Sequence, residues 1–370
     1  MKRLFLLLLA CTVLGPNVPA QDPTAPPTET APTSAAKDAI GGARQLALAL
    51  IAAGAPGLSA AVAVNGEVVW AEGFGYADVE LGIPVQTTTR FRVGSVAKAF
   101  TAAGLVLLVE EGRLDLDAPV QEYVPSFPVK EEGEITTRLL AGHLSGIRHY
   151  KGIEYRLERR FDTVLDGLSI FADDPLVNAP GERFSYTTYG WSLIAAAMET
   201  ASEREFLAFM DERVFRPVGM HCTVADRADV VIPGRTTYYR MAGGELVVCP
   251  PVDNSYKWAG GGFLSTAEDM VRFGSAHLEP GFLEQETLDL LFTSQKTTSG
   301  EETNIGIAWF LSEDEEGRRI YSHGGGSVGG TTALAIHPES RVVAALTTNR
   351  SQGPVSMDHA RKLLALFEPE

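Results

Sequence analysis

Several protein classes are excluded by what this sequence has little of. Outside the N-terminus no basic run exceeds two residues, and 31 Lys and Arg against 47 Asp and Glu leave a formal net charge of −16. A chain so charged lacks the concentrated positive surface that nucleic-acid binding needs. No HExxH occurs, and His143, His149, His337 and His359 are scattered without metal-ligand spacing. Metal-assisted hydrolysis therefore has no candidate ligand set, and no cofactor is expected. Cysteines number three, Cys11, Cys222 and Cys249, none in the setting of a cysteine nucleophile. An oxidising compartment permits a Cys222–Cys249 disulfide, and two buried thiols fit equally well.

What remains is the composition of a globular enzyme: 370 residues, 45% hydrophobic, 21% charged, with 37 glycines. Met1-Lys2-Arg3 followed by Leu4–Ala10 reads as a secretory signal over residues 1–20, its apolar stretch too short to span a bilayer. Two processing sites compete. Val18-Pro19-Ala20 precedes Gln21, and Leu8-Leu9-Ala10-Cys11 resembles a lipobox in which Cys11 would carry lipid, the one membrane attachment the sequence suggests. The lipobox lies close to the start, which favours cleavage after Ala20; either site predicts an exported, periplasmic or secreted protein. Residues 21–36, rich in Pro, Thr and Ala, read as a disordered tether before a domain spanning 37–370.

Within that domain, residues 37–54 carry helical apolar spacing. Ser59–Val64 and Val68–Phe74 form a hairpin through Asn65-Gly66, a strong two-residue turn signal. A second hairpin is expected between Thr236–Arg240 and Glu245–Cys249 around Gly243-Gly244, and a third between Thr331–Ile336 and Arg341–Thr347. A helix bearing Met357, Ala360, Leu363, Leu364 and Phe367 on one face ends the chain. Strands early, mostly helical text from about 91 to 290, and strands late predict an α+β fold: an antiparallel sheet flanked by N- and C-terminal helices, with a helical insertion. The cleft between sheet and insertion is the natural site.

Ser95-Val96-Ala97-Lys98 stands at the mouth of an apolar run, Phe100, Ala103, Leu107 and Leu108, at helical spacing that ends near Gly112. The spacing puts Ser95 and Lys98 on one face. Free N–H groups at the helix start favour a developing oxyanion. A serine hydroxyl needs a base, and lysine serves only when neutral; lowering its pKa from about 10.4 to about 7 costs roughly 4–5 kcal/mol, within what burial and a neighbouring cation supply. A second Ser-x-x-Lys, Ser34-Ala35-Ala36-Lys37, lies in the Pro/Thr/Ala-rich segment, where no cavity can form.

A Ser–Lys pair needs a third polar group and a wall of donors. Tyr186, in the hydroxyl-rich loop Phe184–Trp191 ahead of a helix Ser192–Thr200, can relay protons, a neighbouring cation favouring its phenolate. His323-Gly324-Gly325-Gly326, before a strand, lets substrate approach the backbone closely; a free N–H there can complete an oxyanion hole, and His323 can donate to a substrate carboxylate or carbonyl.

Ser95-x-x-Lys98, then Tyr186, then His323-Gly-Gly follow the order of the serine β-lactamase and penicillin-binding-protein superfamily. Gly112–Pro119, Leu139–Ile147 and Gly260–Thr266 resemble its class C β-lactamase and D-alanyl-D-alanine carboxypeptidase branch. The run Pro251–Thr266 is similar to the mitochondrial serine β-lactamase-like proteins, regarded as proteases. The resemblance implies that Ser95 is the acyl-forming nucleophile, Lys98 its proton acceptor and Tyr186 the aid to proton transfer and deacylation. It implies an oxyanion hole from the N–H groups of Ser95 and Gly326, with Thr188, His323 and Gly325 facing the substrate, a small peptide or ester. Two motifs depart from the family: Tyr186-Thr187-Thr188 replaces Tyr-Ser-Asn, and His323-Gly324-Gly325 replaces Lys-Thr-Gly. An acylamino-binding amide and a permanent cation are both missing, so a peptidase or esterase is expected rather than an efficient β-lactamase.

One rival motif exists. Gly325-Gly326-Ser327-Val328-Gly329 matches the Gly-x-Ser-x-Gly elbow, but an elbow joins strand to helix, and a strand is expected to follow here.

Overall fold

The fold is given by a computed structural model and is described over residues 34–369. The signal segment, both processing sites and most of the tether lie outside these residues. Ser34, Ala35 and Ala36, assigned above to the tether, belong instead to helix α1 (Ser34–Ala52), whose first turn contains the second Ser-x-x-Lys.

The chain continues through β1 (Gly57–Val64), β2 (Glu67–Asp78) and β3 (Ile83–Pro84) into the inserted region. That region holds β4 (Phe91–Arg92), helices α2 (Ala97–Glu110) and α3 (Tyr189–Ser202), β5 (Val224–Ala225), β6 (Tyr239–Ala242), β7 (Glu245–Val248), β8 (Phe263–Ser265) and helix α4 (Ala267–Ser275). It returns through β9 (Phe310–Glu313), β10 (Arg319–Ser327), β11 (Gly330–His337) and β12 (Val342–Thr348) to helix α5 (Met357–Phe367). The main sheet runs in the order β3-β2-β1-β12-β11-β10-β9, with antiparallel pairing throughout, so the α+β expectation holds.

β1 and β12 sit at its centre because their sequences, Leu58-Ser-Ala-Ala-Val-Ala-Val64 and Val342-Val-Ala-Ala-Leu-Thr-Thr348, carry no charge on either face. One face of the sheet, with Leu58, Ala60, Val62, Ala344 and Leu346, packs against Ala43 and Leu50 of α1 and Leu363 and Leu364 of α5. The other face, with Ala61, Ala63, Val343 and Ala345, packs against the insertion. Each leucine buried from α5 contributes about 1.5–3 kcal/mol.

The first hairpin turns at Asn65 and Gly66, both with positive φ (53° and 84°), as a type I′ connection requires. In each of the two other hairpins one strand starts later than the sequence suggests. Thr236 and Thr237 donate their N–H groups to Arg90 and Ala77, so the strand pairing with β7 begins only at Tyr239. Arg341 takes φ 57°, which is turn geometry, and β12 begins after it. The insertion is less purely helical than expected: β4, β8 and β5 form a small sheet that pins the start of the Ser95 segment. Among the described residues Cys222 and Cys249 are free thiols, the second buried against Ser351.

Candidate active site

Ser95 lies not in the first α-helical turn but in a 3₁₀ turn, Gly94–Val96, that feeds α2. α2 is buried on every side from Ala97 to Leu108, so its lysine is carried into the interior with it. The turn is placed by close backbone contact. Gly94 has φ 54°, and a Cβ there would lie 2.7–2.8 Å from the backbone of Gly326. A Cβ on Gly325 would lie 1.9 Å from the Val93 carbonyl oxygen. Glycine at both positions lets the edge of β10 rest directly on the turn.

β10 turns into β11 through two residues, Val328 and Gly329, with Ser327 paired to Gly330. In such a hairpin the flanking pair exchanges both hydrogen bonds and alternate pairs follow suit, so the next pair, Gly326–Thr331, does not. The N–H of Gly326 therefore points away from β11, toward the edge that β9 leaves uncovered beyond Ser322. This same topology disposes of the elbow motif: Ser327 sits at a strand-to-strand turn.

Lys98 is wholly buried. Its Nζ lies 3.0 Å from Ser95 Oγ, 2.6 Å from the Gly260 carbonyl and 3.2 Å from Thr188 Oγ1. Burial, and secondarily the charge of Lys257, holds its pKa well below the ordinary lysine range. A neutral amine here donates to Gly260 and Thr188 and keeps its lone pair for the serine proton. Thr188 thus braces the lysine while still lining the cavity, an additional task to the substrate contact inferred from the sequence.

Tyr186 stands over this pair, with Lys98 Nζ 5.0 Å from its ring centroid. Its expected phenolate character is not found. Burial raises its pKa to about 12, the nearby Ser95 hydroxyl only partly opposing this, so the phenol keeps its proton. His143 stacks on the ring at 4.3 Å.

His323 is placed otherwise than the sequence suggested. It is 1% exposed, hydrogen-bonded through Nδ1 to the carbonyl of Gly324 at 2.7 Å, packed edge-on against Phe310, and not among the residues lining the cavity. The reason is strand alternation: His323 falls on the covered side of β10 while Gly324 and Gly326 are exposed. Burial, then Lys98, pushes its pKa down to about 3, so it is neutral.

The cavity over Ser95 measures about 780 Å³, the size of a small-molecule site. Gly326, Thr188, Gly260 and Gly261 line it, with two residues to which the sequence gave no role, His149 and Lys257. His149 Nδ1 accepts the backbone N–H of Thr188 at 3.1 Å, which leaves the ring proton on Nε2 as a donor. Burial, then Lys98 and Lys257, lowers its pKa to about 4, so the donor stays neutral. Lys257 lies within Pro251–Thr266, legible as family text but not as chemistry.

One pH dependence follows from this geometry. In the proton-acceptor role expected from the sequence Lys98 must be neutral, so kcat/KM is expected to rise with pH through a midpoint below about 10.4, and not to fall again until Tyr186 ionises near 12. Ester hydrolysis measured from pH 5 to 11 checks this; a rate that climbs only above pH 10 would sink the neutral-lysine assignment.

A 3₁₀-borne serine against a buried lysine, roofed by a tyrosine and edged by a glycine strand, defines an acyl-transfer serine hydrolase of the β-lactamase and penicillin-binding-protein type. The Beta-lactamase family matches residues 42–368, and the chain belongs to that family. It is 35% identical over 380 residues to serine beta-lactamase-like protein LACTB, mitochondrial, of Homo sapiens, covering 77% of this chain and 69% of that protein. It is 27% identical to penicillin-binding protein 4* of Bacillus subtilis, covering 78% and 67%. The octameric penicillin-binding protein homologue from Pyrococcus abyssi superposes with a TM-score of 0.76 at 26% identity, covering 88% of this chain and 77% of that one. The resemblance read from the motifs is thereby established.

Proposed function

We propose that this serine hydrolase cleaves a peptide or ester through an acyl-enzyme in which Ser95, Lys98 and Tyr186 carry the chemistry. Ser95 Oγ attacks the substrate carbonyl while Lys98 Nζ takes its proton. The N–H groups of Ser95 and Gly326 receive the oxyanion. The Tyr186 phenol passes a proton to the departing amine or alcohol and is recharged from Lys98. Water then attacks the acyl-Ser95 ester through the same groups in reverse, releasing the acid. The observation that carries this reading is the 3.0 Å contact between Ser95 Oγ and a fully buried lysine amine.

β-Lactam turnover is expected to be weak, because no cation occupies the third motif and the Tyr-x-Asn amide is replaced by Thr188. Export is part of the same proposal, resting on Met1–Ala10, and N-terminal sequencing of the mature protein checks it.

The test is covalent. A fluorophosphonate probe is expected to modify Ser95, as read by peptide mass spectrometry, and to leave Ser327 untouched. Adduct on Ser327 would overturn the site. No adduct at any serine would favour a binding protein on the same fold.

A further inference from the structure

Tyr186 is held in place through its neighbours. Among the described residues no hydrogen bond reaches its backbone, yet the residues on either side of it are gripped by one short stretch, His143–His149. The His143 carbonyl accepts the Ser185 N–H at 2.8 Å, and the Arg148 carbonyl accepts the Thr187 hydroxyl at 2.8 Å. Two imidazoles take the next two backbone donors in turn. His143 Nδ1 accepts the Thr187 N–H and His149 Nδ1 the Thr188 N–H, each at 3.1 Å. These donors lie just ahead of α3, where no helical carbonyl one turn back can accept them. The same two rings also meet the Tyr186 ring. His143 lies along it, with centroids 4.3 Å apart and planes at 32°, and His149 meets it edge-on at 5.6 Å and 87°.

His143 takes this place against its own backbone preference. It follows the short helix Thr137–Ala141 and closes it with a Schellman motif, its N–H donating to the Leu140 carbonyl and that of Leu144 to Leu139. Its φ of 59° is the left-handed value that this position ordinarily gives to glycine. Glycine would end the helix as well but could reach neither Thr187 with a side-chain acceptor nor Tyr186 with a ring. The stretch is itself anchored, since Arg148, buried beneath it, pairs with both Glu154 and Asp174. Both imidazoles are neutral, burial first and Lys98 second lowering their pKa values, so each Nδ1 stays an acceptor.

We propose that His143 and His149 are positioning residues for the reaction, fixing the Tyr186 phenol over Ser95 and Lys98 by fixing the loop that carries it. The proposal rests on the reading above, in which Tyr186 gives a proton to the departing group, and adds what holds that donor in place. A displacement of about 1 Å costs about 10²-fold in rate. The loss should fall on leaving groups that need the proton, whereas damage to the fold would slow every substrate alike.

Ethyl butyrate and p-nitrophenyl butyrate, assayed with the full chain, form the same acyl-enzyme and differ only in the group released. Ethoxide must be protonated as it leaves; p-nitrophenolate need not be. His143→Ala and His149→Ala are expected to lower kcat/KM for the ethyl ester by about 10²-fold and for the p-nitrophenyl ester by less than about tenfold. His143→Asn and His149→Asn should recover most of the loss, because asparagine Oδ1 can stand in for Nδ1 and asparagine accepts the left-handed backbone at 143. Tyr186→Phe should show the same split between the esters. Hydrogen exchange, resolved by mass spectrometry with electron-transfer fragmentation, reads the geometry independently. In the alanine variants the Thr187 and Thr188 amides should exchange at least about tenfold faster, and asparagine should restore their protection. His149 stands at the cavity surface, so its variants do not threaten folding. Equal losses on the two esters, no recovery with asparagine, or unchanged exchange overturns the proposal. Should Tyr186→Phe show no split, or neither ester be turned over, the proton-donor reading fails and exchange alone decides the positioning: loss restored by asparagine sustains it, and unchanged exchange overturns it.

Discussion

Ser95→Ala is expected to abolish turnover, by about 10⁵-fold or more, in a protein that remains folded. Lys98→Met should cost nearly as much, and the double variant little beyond the worse single one, because nucleophile and base act as one unit. The structure gives the reason. Ser95 Oγ and Lys98 Nζ are partners at 3.0 Å, and no other base is placed on the serine: His143 and His323 are buried and neutral, and Tyr186 holds its proton. Additive losses in single-turnover kinetics would show that serine and lysine work independently.

Lys98→Met carries a second signature of opposite sign. The folded pKa of Lys98 lies below its unfolded value, so between the two the unfolded chain binds more protons and the native protein gains stability as pH rises. Methionine removes that dependence. The variant should be more stable than the native protein, with the gap largest at the acid end of the interval and closing toward about pH 10.4. Urea unfolding at pH 7 and pH 10 measures it. A variant less stable at both would mean that the bonds to Gly260 and Thr188 outweigh the desolvation of the amine.

Gly325→Ala is expected to be the most damaging single-methyl change near the site, at about 3 kcal/mol or more. The added carbon would lie 1.9 Å from Val93 O and 3.0 Å from Val93 C, and backbone cannot swing aside as a side chain can. β10 must lift off the Ser95 turn, which displaces Gly326 from the oxyanion. A shift of about 1 Å suffices for a 10²-fold loss in rate. Gly326→Ala is the control. Nothing lies within 4 Å of its added carbon, so stability should stay within about 0.5 kcal/mol of the native protein. Equal destabilisation by the two substitutions would contradict the packing of β10 on the turn.

These expectations draw unequally on sequence and structure. Ser-x-x-Lys is a local spacing, and the chain preserves it although the local element proved to be a 3₁₀ turn and not α-helix. Asn65-Gly66 and Gly243-Gly244 are backbone requirements written into single residues, and both hairpins form where they stand. The terminal helix Met357–Phe367 follows from its apolar stripe. Strand ends were harder to read, because Thr236 and Thr237 find partners in Arg90 and Ala77, residues about 150 positions or more away.

The sequence by itself determined the Ser-x-x-Lys pairing, the order of the three motifs, the family, and the antiparallel α+β plan, all of which rest on periodicity, turn chemistry and short-range spacing. Only the tertiary structure decided which side chains reach the cavity and in what protonation state. It turned His323 inward, set Thr188 against Lys98, left Tyr186 a neutral phenol, and brought His143 and His149 against the loop that carries it. Burial and field are sums over everything packed nearby, and that packing joins residues far apart in the chain.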